Sequence, residues 1–426
     1  MPAAPQLQVR GIVTGDREPR ASQGCGGQPA PCRRNTLSRA QFRERGTGHP
    51  KLAVPHRASV VLALALCIAG CQRPPEREPA QPGAFQPSPS ADEDYCAWYG
   101  SARDGVLYFG EAAFWSSYRR RGGDPRADLE REGPQPIGRF DLRGLSLLEP
   151  LDVTVPGARS GVWDVLAHPN GRVYFSTFFE HAGWIDPRSG RLVRLAAAGL
   201  GLNEFALGPG GAVVASRYGG PGDGDGSVVL LDPDGALLAE HALGPVAGYR
   251  VAAKSVAWDP ARDELWVNTD LLPRGEGALG HDARILDRAG RERVRVERPE
   301  IQFAAFRPDG LGLAAEVDEA GLWLRLLRPD DLEAMPGRGQ RFLVDASFDR
   351  DADFAQDIQF DAEGRAAVTR WSGLFHVLDP GATSARTLRL PRSADGLFYT
   401  GVLHGGRLCA TLCGGIRVVC AADPAR

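Results

Sequence analysis

The sequence predicts an all-β fold, a β-propeller of four-stranded antiparallel blades, on three observations. First, a two-strand unit recurs. "VWDVLAHPNGRVYFST", "NEFALGPGGAVVASR", "KSVAWDPARDELWVNT", "QFAAFRPDGLGLAAE" and "QDIQFDAEGRAAVTR" each alternate large apolar residues, turn at Pro, Asp and Gly, and continue as a more apolar strand. Second, another hairpin follows, of the type "WIDPRSGRLVRL", "VVLLDPDGALLAEHAL", "RILDRAGRERVRV" or "HVLDPGATSARTLRL". Third, the turn positions Pro169, Pro209, Pro260, Pro308, Ala362 and His404 lie 40, 51, 48, 54 and 42 residues apart, near the period of propeller repeats. One unit cannot bury both faces of its sheet. Stacking units in a closed ring does so and leaves no long exposed edge.

The elements follow in order within residues 95–426. "AWYGSARDGVLYFGEAAFW" and "PIGRFDLRGLSLLEPLDVTV" read as a divergent first blade, interrupted by an Arg/Gly/Asp-rich insertion near 116–136. The five regular units come next. "LFYTGVLHGGRLCATLCGGIRVVCAAD" then supplies three strands, and the fourth is expected from the N-terminal side, around Asp92 to Trp98, closing the ring. The expected count is about seven blades, with six as the alternative.

Upstream, residues 71–94 hold six prolines between Gln72 and Asp94 and little to bury, the composition of an extended, disordered tether. Residues 54–70 end in an uncharged run, Ala58 to Gly70, of 13 residues, too short to span a bilayer and the right length for a signal-peptide core. Its end, Ile68-Ala69-Gly70-Cys71, resembles the lipobox of bacterial lipoproteins. The resemblance implies cleavage before Cys71, acylation (palmitate) of that cysteine, and a cell-envelope protein held in the membrane by its lipid. Gln72 in place of Asp favours the outer membrane. Residues 1–53 lack apolar periodicity and read as a start assigned too far upstream or as a disordered extension. Met1 to Gly70 carries ten basic and three acidic side chains; removing this +7 from the chain's −3 leaves a mature charge of −10. That acidity argues against nucleic acid as a partner, and a monomer is expected.

Beyond Cys71 four cysteines remain, an even number in an exported chain, which suggests two disulfides. "CATLCGGIRVVC" reads as a hairpin turning at Gly414-Gly415, with Cys409 opposite Cys420. Cys409–Cys420 and Cys96–Cys413 are therefore favoured, with Cys96–Cys420 as the rival staple of the chain ends.

The units resemble the propellers of the senescence-marker/gluconolactonase and NHL-repeat type. In the gluconolactonase family the resemblance implies a divalent metal at the channel mouth, held by one Glu, one Asp and two Asn at the starts of inner strands. The corresponding positions here, six residues before each turn, are Trp163, Asn203, Lys254, Gln302 and Gln356; Asn203 matches, and Lys254 sets a cation in that ring. One residue further lie Asp164, Glu204, Ser255, Phe303 and Asp357. Trp163, Asp164, Asn203, Glu204, Lys254, Gln302, Gln356 and Asp357 are the candidate ligand-binding residues at the channel mouth. No Gly-x-Ser-x-Gly elbow, zinc spacing or nucleophile–base pairing is legible, so no catalytic residue is assigned. The leading expectation is an envelope propeller that binds a small-molecule or protein ligand, without cofactor. The alternatives are a metal-dependent lactone or ester hydrolase, with a divalent cation such as calcium on Asp164, Glu204 and Asp357, and a structural or assembly propeller.

Overall fold

The computed structural model describes residues 96–112, 133–157, 161–177, 180–195, 201–219, 224–350, 352–391, 397–413 and 417–423. The expected extension, signal, Cys71 and tether (1–94) lie outside the described residues, as do most of the 116–136 insertion and Gly414-Gly415. Among the described residues no helix is long and apolar enough to cross a membrane.

Five sheets have four antiparallel strands each, in chain order. The first comprises β5 (Val162–Ala167), β6 (Val173–Thr177), β7 (Ala182–Ile185) and β8 (Leu192–Arg194); the second, β9 (Leu202–Leu207), β10 (Val213–Arg217), β11 (Ser227–Leu231) and β12 (Leu237–Ala242). The third comprises β13 (Tyr249–Asp259), β14 (Glu264–Pro273), β15 (Gly280–Asp287) and β16 (Glu292–Val296); the fourth, β17 (Glu300–Phe306), β18 (Gly312–Asp318), β19 (Gly321–Leu327) and β20 (Gln340–Asp345). The fifth comprises β21 (Ala355–Phe360), β22 (Ala366–Arg370), β23 (Leu374–Leu378) and β24 (Arg386–Arg389). The strands from the two chain ends join in one seven-stranded sheet. These are β1 (Cys96–Arg103), β2 (Val106–Ala112), β3 (Pro136–Asp141) and β4 (Ser146–Asp152) with β25 (Leu397–His404), β26 (Arg407–Cys413) and β27 (Val418–Ala422).

One expectation is corrected here. The propeller has five four-stranded blades, not seven or six, because the first and last units do not remain separate sheets. They are joined by a single residue pair, Cys96↔Cys413. Of the stretch expected to supply a fourth strand to the last unit, Asp92 to Trp98, residues 92–95 lie outside the described residues. Past Cys96, β1 pairs along its length with β2.

The sequence grammar explains the blades. In "HPNG" the backbone closes through Gly171 N–H to His168 O (3.0 Å), with Gly171 at φ 98°, a conformation that costs glycine nothing. Gly310 (φ 86°) repeats the device in "RPDG". The second strands β6, β10 and β22 are buried at every position, having a covered sheet face on both sides. The outermost strand β12, "LLAEHA", is buried nowhere. Inner strands pack in chain order, β5 on β9, β9 on β13, β13 on β17, β17 on β21 and β21 on β25, while β1 packs on both β25 and β5. The core lies between neighbouring sheets. Val214 and Val228 meet Trp258 and Leu265 in one layer, and Leu313 and Leu324 meet Ile358 and Val368 in another.

Both favoured disulfides form, Cys96–Cys413 and Cys409–Cys420. The second follows from register, since Cys409 lies directly opposite Cys420 in the β26–β27 ladder.

Candidate functional site: an acidic axial cavity

Every inner strand slips register at one level. Against its second strand, β5 slips between Val162 and Asp164, β13 between Ala253 and Ser255, β17 between Ile301 and Phe303, and β21 between Ala355 and Asp357. The β9 ladder slips between Leu202 and Phe205; β1 and β25 slip between Ala97 and Gly100 and between Phe398 and Gly401. The residues at these bulges include all five of the ring read from the sequence: Trp163, Asn203, Lys254, Gln302 and Gln356.

A bulged residue falls outside the ladder, so its carbonyl needs another donor. The adjacent sheet supplies one, or for β1 the β26 strand of its own sheet. Ser176 Oγ donates to Asn203 O (2.7 Å), Ser216 Oγ to Lys254 O (3.0 Å), Asn268 Nδ2 to Gln302 O (3.1 Å) and Thr411 Oγ1 to Trp98 O (3.0 Å). These bonds explain why otherwise apolar second strands carry a Ser, Asn or Thr near their ends. At the same level β2 has Gly110, where any Cβ would collide with the carbonyls of Val162 and Trp163.

The residue after the bulge lines the cavity on four of the five regular inner strands; on β13 that residue is Ser255, which instead accepts Asn268 Nδ2 (2.8 Å). Asp164, Glu204, Phe303 and Asp357, joined by Tyr99 and Thr400 from the two chain ends, line a cavity of about 440 Å³ that continues along the inner strands past Trp258 to Arg307. The three carboxyl side chains are 7, 6 and 3 % exposed respectively. Asp164 accepts a hydrogen bond from Phe205 N–H (2.7 Å), and Asp357 accepts Gln359 Nε2 at 3.0 Å on both oxygens. The Glu204 carboxyl has no hydrogen-bond or ion-pair partner among the described residues.

Burial without a cation decides the electrostatics. Desolvation pushes Asp164 up to about 7, outweighing the N–H groups of Phe205 and Val165. Asp357 is likewise pushed to about 7 by burial, against its bonds to Gln359 and Thr400 and with Asp164 adding to the rise. Glu204 stands well above the ordinary carboxylate range, through burial first, then Asp164; Lys254 opposes the rise, and Asp357 adds to it. Tyr99 is also raised, by burial and then by Glu204. Among the described residues no group of three or more His, Cys, Asp or Glu side chains is placed to hold a metal ion.

The other predicted residues do not line this cavity. Asn203 Nδ2 donates to Lys254 O (2.6 Å), Gln302 Oε1 accepts Ala355 N–H (2.9 Å), and Gln356 Oε1 accepts the Tyr99 hydroxyl. These amides tie inner strands to one another. Lys254 Nζ sits 3.9 Å from the centre of the Phe354 ring. Trp163 stacks with Trp98 (4.8 Å between centroids) and meets Tyr99 edge-on (5.2 Å). The sequence reading thus placed in one constellation what the fold separates into two layers.

Two features escaped that reading. Tyr99 and Thr400 belong to the end units, whose divergent sequences hid their alignment. A second polar group lies on β14 and β15: Asp270 accepts the Tyr218 hydroxyl (2.9 Å) and faces His281 Nδ1 (3.0 Å). Burial pushes Asp270 up, but His281, Lys254 and Tyr218 together hold it below the usual carboxylate value. An aspartate on one strand directly opposite a histidine on the next, Asp270↔His281, was the available signal.

No protein family matches the chain by sequence, and no curated protein matches it. Among solved structures it is similar to a catalytically inactive variant of virginiamycin B lyase from Staphylococcus aureus with quinupristin, at 11 % identity and a TM-score of 0.51, over 78 % of this chain and 96 % of that one. It is also similar to the Myceliophteria thermophila Cps50 (Swd1) β-propeller domain, at 13 % identity and a TM-score of 0.51, over 77 % of this chain and 97 % of that one. At such identities the likeness is one of fold, and by that likeness together with its own sheets the chain is an all-β propeller.

Proposed function

We propose that the protein is an exported, lipid-anchored envelope propeller that binds a small ligand in its axial cavity. The observation that carries the binding reading is the cavity itself. It is concave, about 440 Å³ in volume, with apolar side chains along its walls and three convergent carboxyl groups on rigid inner strands as its floor, the usual build of a small-molecule site. The anchor reading rests on the lipobox-like Ile68-Ala69-Gly70-Cys71 and the proline-rich stretch after it.

Each half has its own test. In membrane fractionation of expressing bacteria the wild type is expected with the membranes and Cys71→Ala in the soluble fraction; a variant still fully membrane-held sinks the anchor. For the cavity, a ligand that binds only the folded state raises the melting temperature. Compounds that do so for the purified full chain are expected to lose the effect in Ala305→Phe, which fills the cavity wall. Equal shifts in both proteins would place binding elsewhere.

The metal-dependent hydrolase is less favoured. Asn203, the residue that matches the gluconolactonase set, spends its amide on Lys254 O. The carboxyls that would carry the ion form no group of three placed for one. No observation favours the assembly alternative.

A further inference from the structure

We propose that the axial cavity takes an organic cation, a protonated amine or guanidinium carried on an apolar or aromatic body. The inference deepens the binding reading above and rests on it.

Three observations converge. The first is the sign of the floor. Asp164, Glu204 and Asp357 line the cavity, and none of them has an Arg or Lys ion-pair partner among the described residues. Lys254 is not part of the lining, and the one lining arginine, Arg307, is engaged by Asp309 at 3.0 Å. The second is Glu204. A buried polar side chain is ordinarily hydrogen-bonded, and leaving one unmatched is costly. Glu204 is 6 % exposed, lines the cavity and has no partner among the described residues, so its carboxyl is free to take a donor that enters the cavity. An ammonium or guanidinium supplies it, together with the missing charge.

The third observation concerns shape and walls. A bare metal ion would leave most of about 440 Å³ unfilled, and among the described residues no three carboxyls are set to coordinate one. Phe205, Trp258 and Phe303 in the lining offer apolar area to the body of an organic ligand.

The test is calorimetric titration of the purified full chain at pH 8 with phenethylamine, agmatine and choline. Each is set beside a neutral isostere, and phenylacetate serves as the anionic probe. At least one cation is expected to bind about tenfold or more tightly than its neutral isostere, the effect of a hydrogen bond to a charged group, and phenylacetate is expected not to bind. Glu204→Gln, close to isosteric, is expected to cut that affinity about tenfold with an unchanged circular dichroism spectrum; should it fail to fold, Asp357→Asn is the replacement. If neutral or anionic probes bind as well as the cations, or Glu204→Gln and Asp357→Asn both fold and bind unchanged, the cavity binds but the class is wrong. If none of the probes binds, the cation assignment falls, and the cavity reading falls as well if Ala305→Phe also leaves all ligand-induced melting shifts unaltered.

Discussion

The protein buries carboxylates in two settings. Out in the blades Glu316, Asp353 and Asp423 meet arginine. Glu316 is held by Arg325 at 2.5 Å and by Arg341 at 3.0 Å. Asp353 is held by Arg370 at 2.7 Å, and Asp423 by Arg386 at 2.6 Å. On the axis, Asp164, Glu204 and Asp357 are as deeply buried and meet none. The first group has its charge matched within the fold, with geometry fixed by planar guanidinium forks. The second is left with burial, which raises all three carboxyls above their ordinary range. Chemistry at equal depth differs because one setting is complete and the other awaits a proton or a cation.

The largest effect expected from this contrast is in the blades. Removing both partners, Arg325→Ala with Arg341→Ala, strands Glu316, which is fully buried, and should lower stability by about 3–5 kcal/mol, the cost of leaving a buried charge unmatched. Urea unfolding measures it. A loss below about 1 kcal/mol, the worth of an exposed pair, would erase the distinction between the two settings.

The axis should respond in the opposite direction. Asp164 rises from an unfolded value of 3.8 to about 7 in the folded protein. Between those values the folded state binds more protons than the unfolded one, so this group's contribution to stability falls as pH rises through the window. Asp164→Asn retains an oxygen for Phe205 N–H and removes the charge. Its advantage over the wild type should therefore grow between pH 5 and pH 8 by at most about 3 kcal/mol, the ceiling set by the roughly two pH units of the shift that lie above pH 5. Other groups titrate in the same range. Burial raises Glu111 to about 7 despite Arg417, and burial lowers His376 to about 4. The difference between the two proteins' melting curves from pH 5 to 8 isolates Asp164; a flat difference would contradict the account.

The smallest effect is expected at the bridge between the two layers. Lys254 lowers both Glu204 and Asp270. Lys254→Met should move the Asp270 carboxyl titration upward by less than about one pH unit, since Lys254 is partly exposed and screened. Carboxyl carbon shifts in NMR report it, and no movement would remove Lys254 from the electrostatics of the site.

Much of the architecture was legible in the residues. The turns at Pro169, Pro209, Pro260 and Pro308 each fall within two residues of an inner strand's end. Counting back six positions found the bulges, because each unit repeats one backbone solution. Cys409–Cys420 followed from hairpin register. Blade number was not legible, because the merger of first and last units depends on one pairing across 317 residues of sequence separation. The candidate site was half legible. Asp164, Glu204 and Asp357 line one cavity as a group, but Asn203 and Gln302, which were grouped with them, do not. Side chains alternate along a strand, and with the bulge added, the sequence does not say which of two neighbours faces the axis. Tyr99 and Thr400 lacked the repeat's punctuation altogether.

The link between Cys96 and Cys413 has a mechanical consequence. A pull applied upstream of Cys96 reaches β26 through sulfur before it can unzip β1 from β2. Strand peeling, the usual route by which a repeat protein yields to tension at its end, is thus short-circuited, and the load passes straight into the far end of the chain.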